Sequence, residues 1–255
     1  MPSDRAILPA ALAAARKAGD IALRVFRGRV RVGYKSDSSP VTDADRAGEE
    51  AIRRLLTRAF PGDGFIGEEY GTSGGSAEAV WTIDPIDGTK NFIRGIPFWG
   101  CLIARIFRGR VTHGVMHLPA LDETLWAVRG KGAFLNGRRL RVSRVRDLRR
   151  SYVLYGGLSY FVRDKALKNL AKIASKCHST RCFGDCWSYA FVARGQAEAM
   201  FEADLKPWDN APTGLIVSEA GGRATDWKGH EDWRSPSLLA TNGLIHSRLL
   251  KLLRR

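Results

Sequence analysis

One stretch of the sequence predicts the fold more strongly than any other: Trp81-Thr82-Ile83-Asp84-Pro85-Ile86-Asp87-Gly88-Thr89-Lys90-Asn91-Phe92. Its first residues have the pattern of a strand that enters an apolar core. Pro85 restricts φ, and Gly88 allows the backbone to turn sharply. We therefore expect the carboxylates of Asp84 and Asp87 to face one small volume.

Two neighbouring carboxylates repel each other, and a divalent cation that takes hard oxygen ligands removes this repulsion. If the amides from Asp87 to Thr89 open a helix, they point at the same volume and suit a phosphate. An Asp-Pro pair or an Asp-Gly-Thr triplet by itself is usually only a turn. The complete run is more specific, and a cation beside a phosphate indicates phosphoryl chemistry.

Two other segments also deliver carboxylates. The residues Phe65-Ile66-Gly67-Glu68-Glu69 predict a short strand with Glu68 at its end. Downstream, Lys206-Pro207-Trp208-Asp209 begins a predicted helix that ends at Gly221-Gly222. We place Pro212 in the first turn of this helix, where proline removes no intrahelical hydrogen bond.

Together these motifs resemble the inositol monophosphatase superfamily, whose members are magnesium-dependent and often lithium-inhibited phosphatases. The resemblance spans nearly the whole chain, because Lys35 and the segment Ser39-Pro40-Val41-Thr42-Asp43-Ala44-Asp45 also occur in the family order. It implies an α/β (α+β) chain in the layered αβαβα sandwich of the inositol monophosphatase and fructose-1,6-bisphosphatase type. Residues 1–145 would form an α+β half with most metal ligands, and residues 146–255 an α/β half, in one compact unit.

The resemblance also implies the metal ligands and the catalytic residues. One Mg²⁺ would bind Glu68, Asp84 and the carbonyl of Ile86, and a second would bind Asp84, Asp87 and Asp209, with two or three ions per site. A metal-bound water would be the nucleophile, oriented and deprotonated by Thr89 and Asp45, with Glu68 nearby. For Asp45 an alternative remains open, since an acid in the first turn of a helix often only complements the helix dipole.

The second half of the chain indicates the substrate. The segments 94–100, 181–190 and 239–243 are similar to the histidinol-phosphate phosphatases of the superfamily. Histidinol phosphate carries an amine and an imidazole that carboxylates attract. We predict that Asp185 and Glu202 bind this part of the substrate, although Asp185 could instead be a helix N-cap. The remaining predicted substrate contacts are Asp87, Gly88, Thr89 and Asp209.

The predicted function is therefore the Mg²⁺-dependent hydrolysis of L-histidinol phosphate to L-histidinol and phosphate, in histidine biosynthesis. The alternatives are an inositol-1-monophosphatase and a nucleotide 3′(2′),5′-bisphosphate phosphatase. By resemblance we also expect a homodimer and sensitivity to Li⁺.

A basic composition supports a rival hypothesis, because a net charge of +15 in 255 residues also suits a nucleic-acid-binding protein. However, the arginine-rich segment 138–150 lacks interleaved aromatic residues, and no nucleic-acid-binding motif accompanies it. We interpret the segment as a solvated face. A phosphatase should bring Glu68, Asp84, Asp87 and Asp209 together, whereas a nucleic-acid groove would exclude such a cluster.

No apolar run approaches the ~20 residues that cross a bilayer, and the predicted helix from Ile7 to Phe26 lacks a signal-peptide pattern. We therefore expect a cytoplasmic protein without membrane contact. Cys177, Cys182 and Cys186 have a poor spacing for structural zinc, so we expect free thiols.

Beyond residue 145 the pattern alternates between strands and helices, which predicts a second α/β layer. The expected elements are a strand at 152–155, a helix at 163–175, a strand at 179–183, a helix at 185–194 and a strand at 197–202. In the first half, Arg108-Gly109 and Asn136-Gly137 predict hairpin turns, and Thr42 predicts a helix N-cap.

Overall fold

A computed structural model of the chain describes residues 4–35, 40–74, 78–163 and 165–254. The helices are α1 (Asp4–Phe26), α2 (Asp43–Ala59), α3 (Thr89–Phe92), α4 (Leu158–Arg163), α5 (Leu167–Ala174), α6 (Asp185–Ala193), α7 (Pro207–Glu219) and α8 (His246–Leu253). Residues 36–39, which include Ser39 and most of the predicted loop after Lys35, lie outside the described residues.

The strands of the first half are β1 (Val32–Tyr34), β2 (Pro40–Thr42), β3 (Gly64–Gly67), β4 (Gly71–Ser73), β5 (Ala79–Asp87), β6 (Gly100–Phe107), β7 (Arg110–Leu118), β8 (Glu123–Val128), β9 (Gly132–Leu135) and β10 (Arg138–Arg139). Among the described residues, β3 to β10 form one sheet in the order β10-β9-β8-β7-β6-β5-β3-β4. Its neighbours are antiparallel except for β3 and β5, which run parallel. This parallel pair brings Glu68 and Asp84 to the same end of the sheet.

The strands of the second half are β11 (Tyr152–Tyr155), β12 (Ser179–Arg181), β13 (Ala199–Ala203), β14 (Arg223–Thr225) and β15 (Ser237–Thr241). They form a second sheet in the order β12-β11-β13-β15-β14. In this sheet β11 runs parallel to both β12 and β13, whereas β15 is antiparallel to its neighbours.

The helices cover both sheets and fill the space between them. α1 and α2 pack on one face of the larger sheet, through a cluster that includes Ile52, Trp81 and Val115. α6 and α7 lie between the two sheets, and α5 and α8 cover the outer face of the smaller one. The layer order is therefore helix, sheet, helix, sheet, helix, which confirms the predicted αβαβα sandwich.

The middle layer depends on close approach between α7 and β7. A Cβ atom on Gly114 of β7 would lie 3.1 Å from the Cα atom of Pro212, so glycine lets the helix lie directly on the sheet. The largest core cluster includes Leu102 of the first half and Ala240 of the second. The division at residue 145 stays a prediction, although apolar packing crosses it. Within the described residues, no helix has the length and apolar character that a membrane crossing requires.

Several local predictions are confirmed. Thr42 is the N-cap of α2, where its hydroxyl accepts a hydrogen bond from the amide of Ala44. Both predicted hairpins form, and Asn136 and Gly137 have the positive φ values, 46° and 82°, that a type I′ turn requires. The four cysteines are free thiols.

Two local predictions are wrong. The helix expected at 163–175 begins only at Leu167, as α5, and Arg163 instead ends α4; between them Lys165 has a φ of 55°, which an α-helix does not tolerate. Pro212 lies in the second turn of α7, because the helix begins at Pro207 and Asp209 already stands in its first turn. There the missing amide does remove one intrahelical hydrogen bond.

Candidate active site

Three carboxylates from two parts of the chain lie close together. One oxygen atom from each of Asp84, Asp87 and Asp209 lies within 4.8 Å of the others. Asp84 and Asp87 end β5, and Asp209 is in the first turn of α7. The site is therefore assembled where the middle helical layer meets the larger sheet.

The end of β5 explains the position of the first two carboxylates. The register between β5 and β6 shifts between Asp84 and Asp87, so the ladder is interrupted and both side chains turn toward α7. The amide of Ile86 donates to Asp84 at 2.9 Å, which fixes that carboxylate. Gly88 follows with a φ of 84°, and a Cβ atom there would lie 2.8 Å from the carbonyl oxygen of Phe98. Only glycine fits this turn without strain.

Backbone amides at the starts of the middle helices α6 and α7 orient Asp87 and Asp209. The amide of Cys186, in the first turn of α6, donates to the Asp87 carboxylate at 2.5 Å. The amide of Lys206 donates to the Asp209 carboxylate at 2.8 Å, so Asp209 also caps its own helix. Each carboxylate of the triad therefore keeps its direction through at least one backbone amide.

The electrostatics of the triad suit a metal ion. Burial, and then repulsion from neighbouring carboxylates, raises the pKa of Asp84 and of Asp209. Burial also raises the pKa of Asp87, although its hydrogen bonds with Cys186 oppose the shift. A hard divalent cation relieves such repulsion, and a set of oxygen-only donors is the chemistry that Mg²⁺ prefers. The residues present therefore fit the predicted ion.

Glu68 lies beside the triad but is not part of it. It directly follows β3 and lines the same cavity as Asp84, Asp87 and Asp209. Its carboxylate is 2.8 Å from the ammonium group of Lys35, which also lies 2.6 Å from Glu69. Burial by itself lowers the pKa of Lys35, but the two carboxylates outweigh it and raise the pKa. The ligand role of Glu68 stays a prediction.

Thr89 and Asp45 each make other hydrogen bonds in this structure. The hydroxyl of Thr89 donates to the carbonyl of Ile86 at 2.9 Å. Asp45 accepts from the amide and the hydroxyl of Thr42, at 2.7 and 2.6 Å, and so completes the capping box of α2. Among the described residues, no hydrogen bond joins Asp45 to Thr89. Burial raises the pKa of Asp45 to about 7, although the hydrogen bonds from Thr42 lower it. The catalytic role of Asp45 stays a prediction.

A cavity of about 150 Å³ extends from the triad toward two more carboxylates, Asp185 and Glu202. Asp185 accepts a hydrogen bond from the Asn91 side chain at 2.9 Å. The N-cap of α6 is Gly184, so the alternative that Asp185 is the helix N-cap is wrong. Burial, followed by repulsion from Asp87, raises the pKa of Asp185 to about 8, whereas Lys90 lowers it.

Glu202 is only 4 % exposed, and the hydroxyl of Tyr189 lies 3.4 Å from its carboxylate. Burial, followed by repulsion from Asp185, Asp87 and Asp209, raises the pKa of Glu202. A Cβ atom on Gly156 would collide with this carboxylate, so a glycine makes room for it. Among the described residues, neither Glu202 nor Asp185 forms an ion pair with a Lys, Arg or His side chain.

The charge distribution matches the phosphatase hypothesis. The three triad carboxylates and Glu68 share one cavity, inside a chain whose net charge is +15. The arginines of the segment 138–150 are exposed, as expected for a solvated face.

Among the residues of the cavity wall that were not predicted from the sequence are Tyr160, Tyr189 and Asp204. Tyr189 lies in the segment 181–190 that already resembled the phosphatases, so its place near Asp185 was a usable signal. Tyr160 and Asp204 follow the predicted strands of the second half and carry no motif. Their role depends on how the two sheets are arranged in space.

Comparison with known proteins identifies related chains. The family model described as "Inositol monophosphatase family" matches residues 3–255. A histidinol-phosphatase of Mycobacterium tuberculosis is 40% identical over 247 residues, covering 94% of this chain and 95% of that protein. The Nus factor SuhB of Pseudomonas aeruginosa is 36% identical over 258 residues, covering 96% of this chain and 94% of that protein.

Among solved structures, the IMPase of Thermotoga maritima superposes with a TM-score of 0.89 at 33% identity, covering 99% of this chain and 97% of that one. The chain belongs to the inositol monophosphatase family and is a phosphoric monoester hydrolase.

Proposed function

We propose that this hydrolase converts L-histidinol phosphate to L-histidinol and phosphate, in histidine biosynthesis. One observation carries the proposal: beyond the acidic triad, the cavity wall presents Asp185 and Glu202 without a cationic partner among the described residues. A buried carboxylate without a counter-ion is costly unless a ligand supplies one. The ammonium and imidazole groups of histidinol phosphate would supply it. The histidinol-phosphatase relative at 40% identity supports the same substrate.

The family is magnesium-dependent, and we propose Asp84, Asp87 and Asp209, with Glu68 and the Ile86 carbonyl, as the residues that hold Mg²⁺. When bound, Mg²⁺ stabilises negative charge on phosphate oxygens and lowers the pKa of water. The chain itself prepares this ligand set, since three backbone amides already orient the triad. Gly88 keeps the backbone close to the cavity and free of a side chain.

We propose that Asp45 and Thr89 orient and deprotonate the attacking water. Asp45 has a pKa of about 7, so it exchanges protons near neutral pH, as a general base should. In the present structure its carboxylate is bound to Thr42, and the Thr89 hydroxyl is bound to Ile86. The proposal therefore requires these two hydrogen bonds to rearrange when substrate binds.

Inositol 1-phosphate is the second candidate substrate. Its hydroxyl groups could donate hydrogen bonds to the Asp185 and Glu202 carboxylates, and the hydroxyl of Tyr189 shows that Glu202 has a polar neighbour of this kind. The IMPase of Thermotoga maritima supports this alternative. From the resemblance we also propose a cytoplasmic homodimer that Li⁺ inhibits.

The decisive experiment is phosphate release from L-histidinol phosphate and from inositol 1-phosphate, side by side, with Mg²⁺ and then with a chelator. We expect histidinol phosphate to be preferred and both activities to disappear with the chelator. A preference for inositol 1-phosphate would keep the metal chemistry and reject the substrate. Release that persists in the chelator would reject the metal-ligand assignment.

The variant Asp185→Ala then tests the substrate contact. Its KM for histidinol phosphate should rise more than its KM for inositol 1-phosphate, because only the first substrate carries a cation. The control is Asp122→Asn, a change of an exposed carboxylate outside the cavity. Equal effects on both substrates would remove Asp185 from the selection of substrate.

A further inference from the structure

We infer that Tyr160 holds the ammonium group of Lys90 away from Asp185 and thereby keeps that carboxylate free for the cation of a substrate. This makes Tyr160 a positioning residue for specificity. The inference rests on the proposed function, because it takes Asp185 as the residue that receives the cation.

The contact between Lys90 and Tyr160 connects the two halves of the molecule. Lys90 is in α3, directly after the turn at Gly88, and Tyr160 is in α4. The Lys90 ammonium donates to the Tyr160 hydroxyl at 2.9 Å and lies 5.2 Å from the centre of the ring. The same tyrosine lines the active-site cavity. A hydrogen bond and a cation–π contact therefore hold one lysine at the cavity rim.

Asp185 is the carboxylate that Lys90 would otherwise pair with. Asn91, the next residue in the one-turn helix α3, donates to Asp185 at 2.9 Å, so α3 places Lys90 in the same region. The two charges are near enough for each to favour ionisation of the other, yet they do not form an ion pair. Lys90 is exposed, so its long side chain has freedom to move.

The other nearby carboxylate is already paired. Asp204 lines the cavity, and its carboxylate lies 2.7 Å from the Arg163 guanidinium and 3.7 Å from the Lys206 ammonium. A Lys90 side chain released from Tyr160 would therefore find Asp185 as its unpaired acceptor. That ion pair would occupy the carboxylate that we assign to the substrate cation, and the cationic substrate would bind more weakly.

The test compares a cationic and a neutral ester in three variants. Tyr160→Leu removes both contacts with Lys90, Tyr160→Phe removes only the hydrogen bond, and Tyr160→Leu/Lys90→Met also removes the competing charge. Ser159→Ala, an exposed change in the same helix, is the control. The substrates are L-histidinol phosphate and glycerol 2-phosphate, which has no cation.

We expect Tyr160→Leu to raise KM for histidinol phosphate about three- to fivefold, the size of one exposed ion pair. Tyr160→Phe should have a smaller effect, and the double variant should restore KM to the wild-type value. KM for glycerol 2-phosphate should change less than KM for histidinol phosphate in Tyr160→Leu, because the neutral ester carries no cation for Asp185. A KM that stays raised in the double variant, or rises equally for both esters, would overturn the inference.

A structural readout separates this inference from the proposed function. In a crystal structure of Tyr160→Leu, the Lys90 ammonium should lie within ion-pair distance of Asp185. A Lys90 that stays away from Asp185 overturns the inference. If wild-type enzyme shows no preference for histidinol phosphate over glycerol 2-phosphate, the proposed function fails, while the position of Lys90 in the variant still decides the inference.

Discussion

The substitution Asp87→Asn should make the metal-free protein more stable while it removes most of the activity. Asn keeps a carbonyl oxygen that accepts from the Cys186 amide, so this hydrogen bond is retained. It removes one negative charge from a cluster whose oxygens lie within 4.8 Å of one another. The same charge is, in our proposal, needed to hold Mg²⁺.

The magnitude follows from the geometry. Two full charges 4.8 Å apart repel by about 3.5 kcal/mol at an effective dielectric constant of about 20. Because the pKa values of Asp84 and Asp87 are raised, part of this repulsion is already relieved by protonation. We therefore expect a gain of about 1–2 kcal/mol in the free energy of unfolding, which corresponds to about 2–8 °C in Tm.

The assay is thermal unfolding in a chelator and in Mg²⁺, together with phosphate release. Wild-type protein should gain stability from Mg²⁺, since the ion binds only the folded state. Asp87→Asn should have a higher Tm than wild type in the chelator, and Mg²⁺ should raise its Tm by less. The matched control, Asp122→Asn, changes an exposed carboxylate and should leave both unfolding temperatures and turnover unchanged. A variant that is less stable than wild type in the chelator, or that keeps near-normal turnover, would refute the reasoning.

Three further predictions concern stability and the turn at Gly88. Burial lowers the pKa of His246 to about 4 from its ordinary 6.5, so the unfolded chain binds the extra proton first and stability falls as pH drops from 6.5 toward 4. In urea unfolding, the free energy of unfolding of the wild type should fall by about 2.5 kcal/mol more than that of His246→Gln between pH 7 and 4.5. Equal losses in the two proteins would contradict this. Gly88→Ala should cost about 2 kcal/mol or more in stability and most of the turnover, because its φ is 84° and its new Cβ atom meets Phe98; calorimetry that shows an unchanged Tm would disprove the clash. Lys35→Met should destabilise the chain by about 1–3 kcal/mol, because it leaves the Glu69 carboxylate, 3 % exposed, without its cation; restored stability in Lys35→Met/Glu69→Gln would support that cause, and a Tm equal to wild type in the single variant would exclude it.

Local structure could be predicted closely from the sequence where a single residue determines the backbone. Thr42 caps α2 because its hydroxyl reaches the nearby Ala44 amide, and Asn136-Gly137 turns because both residues accept a positive φ. The break between α4 and α5, inside the helix expected at 163–175, was not predicted. Lys165 shows a positive φ there without any glycine or proline to signal it.

The layered fold was predicted through the resemblance of the acidic motifs to a family, and not from periodicity. Alternating strands and helices after residue 145 indicate an α/β layer but not the order of strands in it. The position of α7 between the sheets also depends on Gly114, whose importance becomes visible only when Pro212 packs against it.

The sequence by itself determined the types of ligand atom, since Asp84, Asp87 and Asp209 stand in motifs whose turns and helix starts expose carboxylates. It also indicated two further acids, Asp185 and Glu202, as substrate contacts. Only the tertiary structure decided which groups meet: Asp209 of α7 reaches Asp84 at the end of β5, and Tyr160 of α4 binds Lys90 of α3. The physical reason is that turns and caps depend on neighbours in the chain, whereas these contacts depend on how two sheets and a central helix pack together.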